Sequence, residues 1–288
     1  MKGIDGQTKV YGIFGFPVAH TLSPSMQNEA FRQSGINAVY VPFRVPPERL
    51  AAAVAALRAL DMGGVNITIP HKEKVCELLD ELSPEARLIG AVNTIVHEGG
   101  RLIGHNTDAP GFMRALAEEL DFDPQGKRIL VLGAGGACRA VAAGLALGGA
   151  SWIGIADLVP ERARRLGEDL AVTFNGTLFA SFSCGPTSLA GLLPTIDLLV
   201  NATPVGMKGE VFEGFEWRLL PAHASVYDLV YAPTGTPLTR AFRELGRRAA
   251  DGLGMLAAQG EEAFFLWTGI RPPAGSMKQK LKTLIRGG

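Results

Sequence analysis

A lysine, an aspartate and a set of amides and hydroxyls recur where apolar runs of this chain begin or end. Asn66-Ile67-Thr68-Ile69-Pro70-His71-Lys72 closes one such run, and Asn93-Thr94 and Asn106-Thr107-Asp108 add further polar groups at strand ends. An ammonium beside a carboxylate can move a proton and stabilise negative charge developing on an oxygen. Taken singly, Lys72 also reads as a surface lysine, and each short polar residue as a turn former. Their accumulation at strand ends is what points to a ligand site, because open α/β sheets bind ligands there. His20-Thr21-Leu22-Ser23-Pro24 adds two hydroxyls, two residues apart, that share a face of extended chain and could hold a carboxylate. Ser23 before Pro24 equally suits a helix N-cap.

A second chemistry is suggested by Arg128-Ile129-Leu130-Val131-Leu132 feeding directly into Gly133-Ala134-Gly135-Gly136-Ala137. Glycine permits a sharp turn and a close backbone approach to a pyrophosphate, and a following helix N-terminus favours the anion. The spacing is not the full G-x-G-x-x-G, so a purely structural strand-to-helix turn remains the alternative; the order strand, turn, helix favours dinucleotide binding. Asp157 lies 24 positions after Gly133, close to the roughly 20 expected of an acid that binds the adenosine ribose of NAD. It would repel a 2′-phosphate, and Leu158 offers no donor. Arg162, Arg164 and Arg165 follow, either as positive charge for such a phosphate or as a solvated helix face. The pattern leans toward NAD and leaves NADP open.

The elements that must position these residues alternate. Strands are expected at Val10–Phe14, Val39–Val45 and Val65–Ile69, with helices at Ser25–Ser34 and Pro47–Leu60 between them. Such alternation argues for a mostly parallel sheet covered on both faces. Two short apolar runs around Glu98-Gly99-Gly100 read as a hairpin. Further strands are expected at Arg128–Leu132, Trp152–Ala156, Ile196–Asn201 and Ser225–Tyr231, and helices at Ala140–Leu147, Glu261–Trp267 and Ser276–Arg286. The reading is an α/β chain of two units.

At 288 residues, with 47% hydrophobic and 19% charged residues, the chain has the length for two well-packed domains. Its 28 basic and 28 acidic residues cancel, giving no electrostatic footprint for nucleic acid or an anionic membrane. The segment Met1-Lys2-Gly3-Ile4-Asp5-Gly6 lacks the apolar stretch of a signal peptide. The widely spaced Cys76, Cys138 and Cys184 fit neither a disulfide framework nor a zinc site. The five histidines show no ligand spacing, so no metal is expected. A cytoplasmic protein acting on a small molecule, as monomer or homodimer, is the expectation.

Seven motifs, in order and spacing, resemble the shikimate dehydrogenase family: His20 to Pro24, Asn66 to Lys72, Gly90-Ala91-Val92-Asn93-Thr94, Gly104-His105-Asn106-Thr107-Asp108, Gly133 to Ala137, Asn201-Ala202-Thr203-Pro204-Val205-Gly206-Met207, and Gly252-Leu253-Gly254-Met255-Leu256-Ala257-Ala258-Gln259. The resemblance implies a substrate domain from residues 1–108 and 245–288, with a Rossmann-type nucleotide domain, 109–244, inserted. It implies NAD(P)-dependent reduction of 3-dehydroshikimate to shikimate in chorismate and aromatic amino acid biosynthesis. By position, Lys72 and Asp108 would be catalytic, with Lys72 handling the proton and Asp108 orienting it. Thr21 and Ser23 would hold the substrate carboxylate, with Tyr231 on the same side, and Thr68, Asn93 and Gln259 would surround the ring. Thr203, Val230, Gly252 and Met255 would join the glycine turn, Asp157 and Arg162 around the cofactor. Two departures stand out. Thr21 replaces the first serine of the family's Ser-x-Ser pair, and Asp157-Leu158-Val159 replaces the Asn-Arg-Thr of NADP-specific members. Both motivate an NAD-dependent quinate/shikimate dehydrogenase as the alternative. A nucleotide-binding redox sensor without catalysis would predict loss of the lysine or the carboxylate, and both are present.

Overall fold

The computed structural model describes residues 3–287, so Met1, Lys2 and Gly288 of the expected first domain and N-terminal segment lie outside the described residues. The chain divides into two compact units, one made of residues up to Gly111 together with those from Leu256 onward, the other of Phe112–Met255.

The sheet of the first unit contains β1 (Lys9–Gly15), β2 (Ala38–Arg44), β3 (Gly64–Ile67), β4 (Glu81–Leu82), β5 (Thr94–Glu98) and β6 (Arg101–His105), in the order β2-β1-β3-β5-β6-β4. β1 pairs in parallel with β2 and β3, whereas β3–β5 and β5–β6 are antiparallel. The expected hairpin is present, and Gly99 and Gly100 turn it with φ of 56° and 79°, the left-handed pair that a two-residue hairpin needs. This mixed pairing gathers four chain ends. Phe14 and Ile67 are parallel neighbours, Asn66 pairs with Thr94, and Thr94 pairs with His105. The ends of β1, β3 and β6 and the start of β5 therefore meet at one edge of the sheet. Strand β3 stops at Ile67 rather than Ile69: the Thr68 N–H makes the last ladder bond to Phe14 O, and beyond it Phe16 donates to Ile69 O while Thr68 O accepts the His71 N–H of a turn. Gly15 makes room for that turn: a Cβ there would lie 2.4 Å from Thr68 Cγ2.

The helices of the first part are α1 (Ser23–Gln33), α2 (Leu50–Ala59) and α3 (Pro84–Ile89). α3 shows the local logic plainly, with Ser83 accepting the Ala86 N–H, Pro84 in the first turn and Gly90 closing the helix at φ 72°. Next come α4 (Asp108–Leu120), α5 (Gly136–Leu147), α6 (Pro160–Thr173), α7 (Pro186–Ala190) and α8 (Pro237–Glu244), and then α9 (Leu253–Thr268) and α10 (Ser276–Gly287). Aromatic packing holds α9 to the first sheet and to α1: Tyr11 and Trp267 lie 5.2 Å apart, Phe31 of α1 and Phe264 5.1 Å, and the Trp267 indole donates to Ile95 O at 3.0 Å.

The second unit carries an all-parallel sheet of β7 (Arg128–Leu132), β8 (Trp152–Asp157), β9 (Leu178–Ser183), β10 (Leu198–Asn201), β11 (Ser225–Asp228) and β12 (Ala249–Asp251), ordered β12-β11-β10-β7-β8-β9. The inner strands β7, β8, β10 and β11 are almost wholly buried, as inner strands of a parallel sheet are, and the apolar run Ile129–Leu132 of β7 is the clearest mark of it. The expected return to the first domain at residue 245 is corrected to Leu256, because β12 pairs with β11 and keeps residues 249–251 in the second sheet. Three residues, two alanines and an aspartate, carry too little pattern for a strand to be read from them. Likewise the first boundary falls after Gly111 rather than Asp108, one turn into α4.

That turn of α4 packs on α9 through Gly111, where a Cβ would sit 2.7 Å from the Gln259 backbone nitrogen. Backbone cannot yield as a side-chain tip can. Gly111→Val should therefore lower unfolding free energy by about 1–3 kcal/mol or more in chemical denaturation.

Candidate active site

The gathered strand ends of the first unit carry a connected polar cluster. Lys72 Nζ donates to Asp108 Oδ2 at 2.6 Å, with side-chain exposures of 13% and 8%. Asp108 Oδ1 accepts from Asn93 Nδ2 at 2.8 Å, so both carboxylate oxygens are engaged. A shielded ion pair needs such extra partners, since Coulomb attraction alone does not offset the cost of desolvating two charges. Lys72 is fixed from behind as well: its carbonyl accepts the Val92 N–H at 2.8 Å, one residue before Asn93.

Asn93 is the hub. Its amide also donates to Thr107 Oγ1 at 2.9 Å and reaches Gln259 Oε1 at 3.5 Å, while its oxygen accepts the Thr107 N–H at 2.7 Å. Asn66 continues the network, donating to Thr94 Oγ1 at 3.0 Å and to Asn93 O at 3.1 Å, and accepting the Tyr40 hydroxyl at 2.7 Å. Asn106 donates to Ala91 O and accepts the Ala109 N–H, which sets the first turn of α4 and so the position of Asp108. Ser23 is buried and hydrogen-bonds the Tyr40 phenol, which burial holds well above its ordinary pKa. The helix-cap reading of Ser23 does not hold: Leu22 occupies the cap, Ser23 is the first helical residue, and no side chain caps α1. Thr21 accepts the Ser23 N–H at 3.3 Å. The described hydrogen bonds do not tie Thr21 or Thr68 side chains to the Lys72–Asp108 cluster.

Asn66, Thr94 and Thr107 belong to the polar set that the sequence pointed to but were given no role there, and Tyr40 was not in that set. Asn66, Thr94 and Thr107 carried a signal as polar side chains at apolar strand ends; nothing in the sequence singled out Tyr40.

In the second unit, Gly133 has φ 102° and gives its N–H to Ala156 O, and a Cβ there would stand 2.9 Å from Ala202 O. Gly135 caps α5, and a Cβ on it would meet nothing within 4 Å. No side chain caps α5 and its first turn holds no acid, a helix start whose uncapped N–H groups and dipole suit an anion. Ala134, Gly136 and Ala137 complete the turn, partly exposed. Asp157 ends β8 and accepts the Val159 N–H at 2.9 Å. Arg164 and Arg165 are held by Glu161, and Arg164 also by Glu168, while Arg162 stands exposed on the same turn of helix. Thr203, just past β10, is bonded through N–H and hydroxyl to Asn201 Oδ1. Strand β11 ends at Asp228 rather than Tyr231, so Val230 and Tyr231 lie in the following loop. Burial holds the Tyr231 phenol above its ordinary pKa. Gly252 passes so close to that loop that a Cβ would clash with Leu229 O, and Met255 gives its N–H to the Tyr227 hydroxyl at 3.2 Å. Among the described residues no histidine, cysteine and carboxylate cluster could hold a metal, and no helix is long and apolar enough to cross a membrane.

A family model described as the shikimate dehydrogenase substrate binding domain matches residues 13–95, and one described as the shikimate 5′-dehydrogenase C-terminal domain matches residues 252–282. A protein of Geobacter metallireducens named shikimate dehydrogenase (NADP(+)) is 50% identical over 283 residues, covering 98% of this chain and 99% of the relative. The chain belongs to the shikimate dehydrogenase family. Among solved structures, a shikimate dehydrogenase in complex with NADP+ matches with a TM-score of 0.89 at 39% identity, covering 98% of each chain. The Listeria monocytogenes shikimate 5-dehydrogenase with shikimate and NAD matches with a TM-score of 0.88 at 36% identity, covering 98% of this chain and 99% of that one. The family fold, a substrate-binding N-terminal domain plus a Rossmann-type domain, is the architecture described above.

One buried group in the second unit has a thermodynamic signature. Asp228 is fully buried among neutral donors, and desolvation pushes its carboxyl from 3.8 up to about 6. Its folded pKa exceeds the unfolded one, so its stabilising contribution is present below pH 4 and lost as pH rises through 6. Asp228→Asn removes that loss. The variant should gain stability on the order of 2–3 kcal/mol at pH 8 relative to wild type, with the gain vanishing toward pH 4 in parallel thermal melts.

Proposed function

We infer that this protein catalyses the reversible, nicotinamide-dinucleotide-dependent reduction of 3-dehydroshikimate to shikimate. The observation that carries the reading is the shielded Lys72–Asp108 pair, fixed by Asn93, in a chain half identical to a relative named shikimate dehydrogenase (NADP(+)). The quinate alternative is set aside, since relatives at this level of identity are named for shikimate.

The bound dinucleotide supplies or removes the hydride. Lys72 gives a proton to the ketone oxygen during reduction and takes it back during oxidation, and its ammonium offsets the charge that gathers on that oxygen. Asp108 holds Lys72 by one carboxylate oxygen and offers the carboxylate to a ring hydroxyl. Asn93 and Gln259 present amides to the ring, Thr68 a hydroxyl, and Thr21, Ser23 and Tyr231 donors to the substrate carboxylate. On the cofactor side, Gly133, Ala134, Gly135, Gly136 and Ala137 receive the pyrophosphate, and Thr203, Val230, Gly252 and Met255 line the nicotinamide end. The open glycine turn and the uncapped α5 support this assignment. We place the protein in the cytoplasm, a reading supported by Cys76, Cys138 and Cys184 being thiols rather than disulfides, and acting as monomer or homodimer.

Asp157 favours NAD, because a carboxylate at the ribose end of β8 repels a 2′-phosphate; exposed Arg162 is the group available to hold that phosphate when NADP binds. Assays of shikimate oxidation with each cofactor test this, and Asp157→Asn should raise the NADP/NAD ratio of kcat/KM by about tenfold or more. An unchanged ratio would remove Asp157 from cofactor choice. For the chemistry, Lys72→Ala should lower kcat by roughly two to four orders of magnitude with much smaller changes in shikimate and dinucleotide affinity. Near-normal turnover in that variant would sink the assignment.

A further inference from the structure

Asn201 ends β10, Asp228 ends β11, and the two are register partners in adjacent parallel strands. Asn201 Nδ2 donates to Asp228 Oδ1 at 2.7 Å, and the other face of the Asn201 amide accepts both the N–H and the hydroxyl of Thr203. Asp228 Oδ1 also accepts the Val230 N–H at 3.0 Å, and Oδ2 accepts the Thr236 hydroxyl at 2.5 Å. Thr236 in turn caps α8 by accepting the Thr239 N–H. One carboxylate thus ties together the loop after β10, the loop after β11 and the start of α8.

We propose that Asp228 is a positioning residue for dinucleotide binding, acting through Asn201 on Thr203 and directly on the Val230 amide. The inference rests on the reading above, in which Thr203 and Val230 line the nicotinamide end. Asp228 itself is fully buried and reaches the ligand only through these two loops. Its geometry is costly to keep. A carboxylate buried among neutral donors opposes folding, so packing alone gives no reason for it. What it supplies is acceptor capacity at one point: two donors on one oxygen and a third on the other, converging from three segments. An alanine leaves the Val230 N–H without its acceptor and cuts the link to Asn201. An asparagine keeps the oxygen that serves Asn201 and Val230, and the Thr236 hydroxyl can turn to accept from the new amide.

Equilibrium binding of NAD and NADP, followed by calorimetry, is compared with shikimate binding in wild type, Asp228→Ala and Asp228→Asn. Asp228→Ala should weaken dinucleotide binding about tenfold or more while shikimate binding stays within about twofold, and Asp228→Asn should return dinucleotide binding to within about threefold of wild type. A general structural role would move both ligands together or neither. Asn201→Ala, which cuts the tie to Thr203 and leaves the Val230 and Thr236 bonds, provides a second arm if Asp228→Ala does not fold; it should also weaken dinucleotide binding selectively. Wild-type dinucleotide affinity in Asp228→Ala or Asn201→Ala, equal loss of both ligands, or an Asp228→Asn protein as weak as Asp228→Ala overturns the proposal. A wild-type protein that binds neither dinucleotide overturns the functional reading itself, and this inference with it.

Discussion

The constraint on which the first unit depends is the hydrogen-bonding capacity of Asn93. A buried amide must satisfy its donors and its acceptor or cost the fold free energy of about 1–3 kcal/mol for each unmet group. Asn93 meets its needs with Asp108 and Thr107 on one side and with the Thr107 backbone on the other. The partners that satisfy it are thereby fixed, and one of them is the carboxylate that holds Lys72. Stability and chemistry share the same atoms.

Sheet pairing makes this arrangement possible. In the all-parallel second sheet, polar strand ends meet because every strand runs the same way. The first sheet reaches the same result differently. Antiparallel β5 begins where β3 ends, and β6 returns to the same edge, so Asn66, Asn93 and Asp108 converge from three segments. Each unit then uses one amide–carboxylate pair at its strand ends, Asn93–Asp108 in the first and Asn201–Asp228 in the second. The first carboxylate holds an ammonium; the second has no cation bonded to it, and desolvation raises its pKa although its neutral donors pull the other way.

The sequence by itself carried the periodicity of the long buried strands, the hairpin at Gly99-Gly100, the glycine turn before α5 and the polar residues at strand ends. These are local signals: apolar runs, turn chemistry and glycine spacing are set within a few residues. Motif order along the whole chain carried the family. Short elements escaped, as with β12, whose three residues hold too little pattern to show that they pair with β11. The ends of β3 and β11 also escaped, because a strand stops where its neighbours cease to offer partners, and those neighbours are distant in sequence.

Tertiary structure alone decided how Lys72 and Asp108 stand. Thirty-six residues separate them, and either could have been a solvated surface charge. Only the register of β3, β5 and β6 brings them within 2.6 Å and shields them from water, and only the Asn93 amide makes that shielding affordable. The same holds for Ser23, whose type suited a cap while its place in the fold turned it toward Tyr40. Residue type limits what a side chain can do; long-range hydrogen bonding and burial decide which of those things it does.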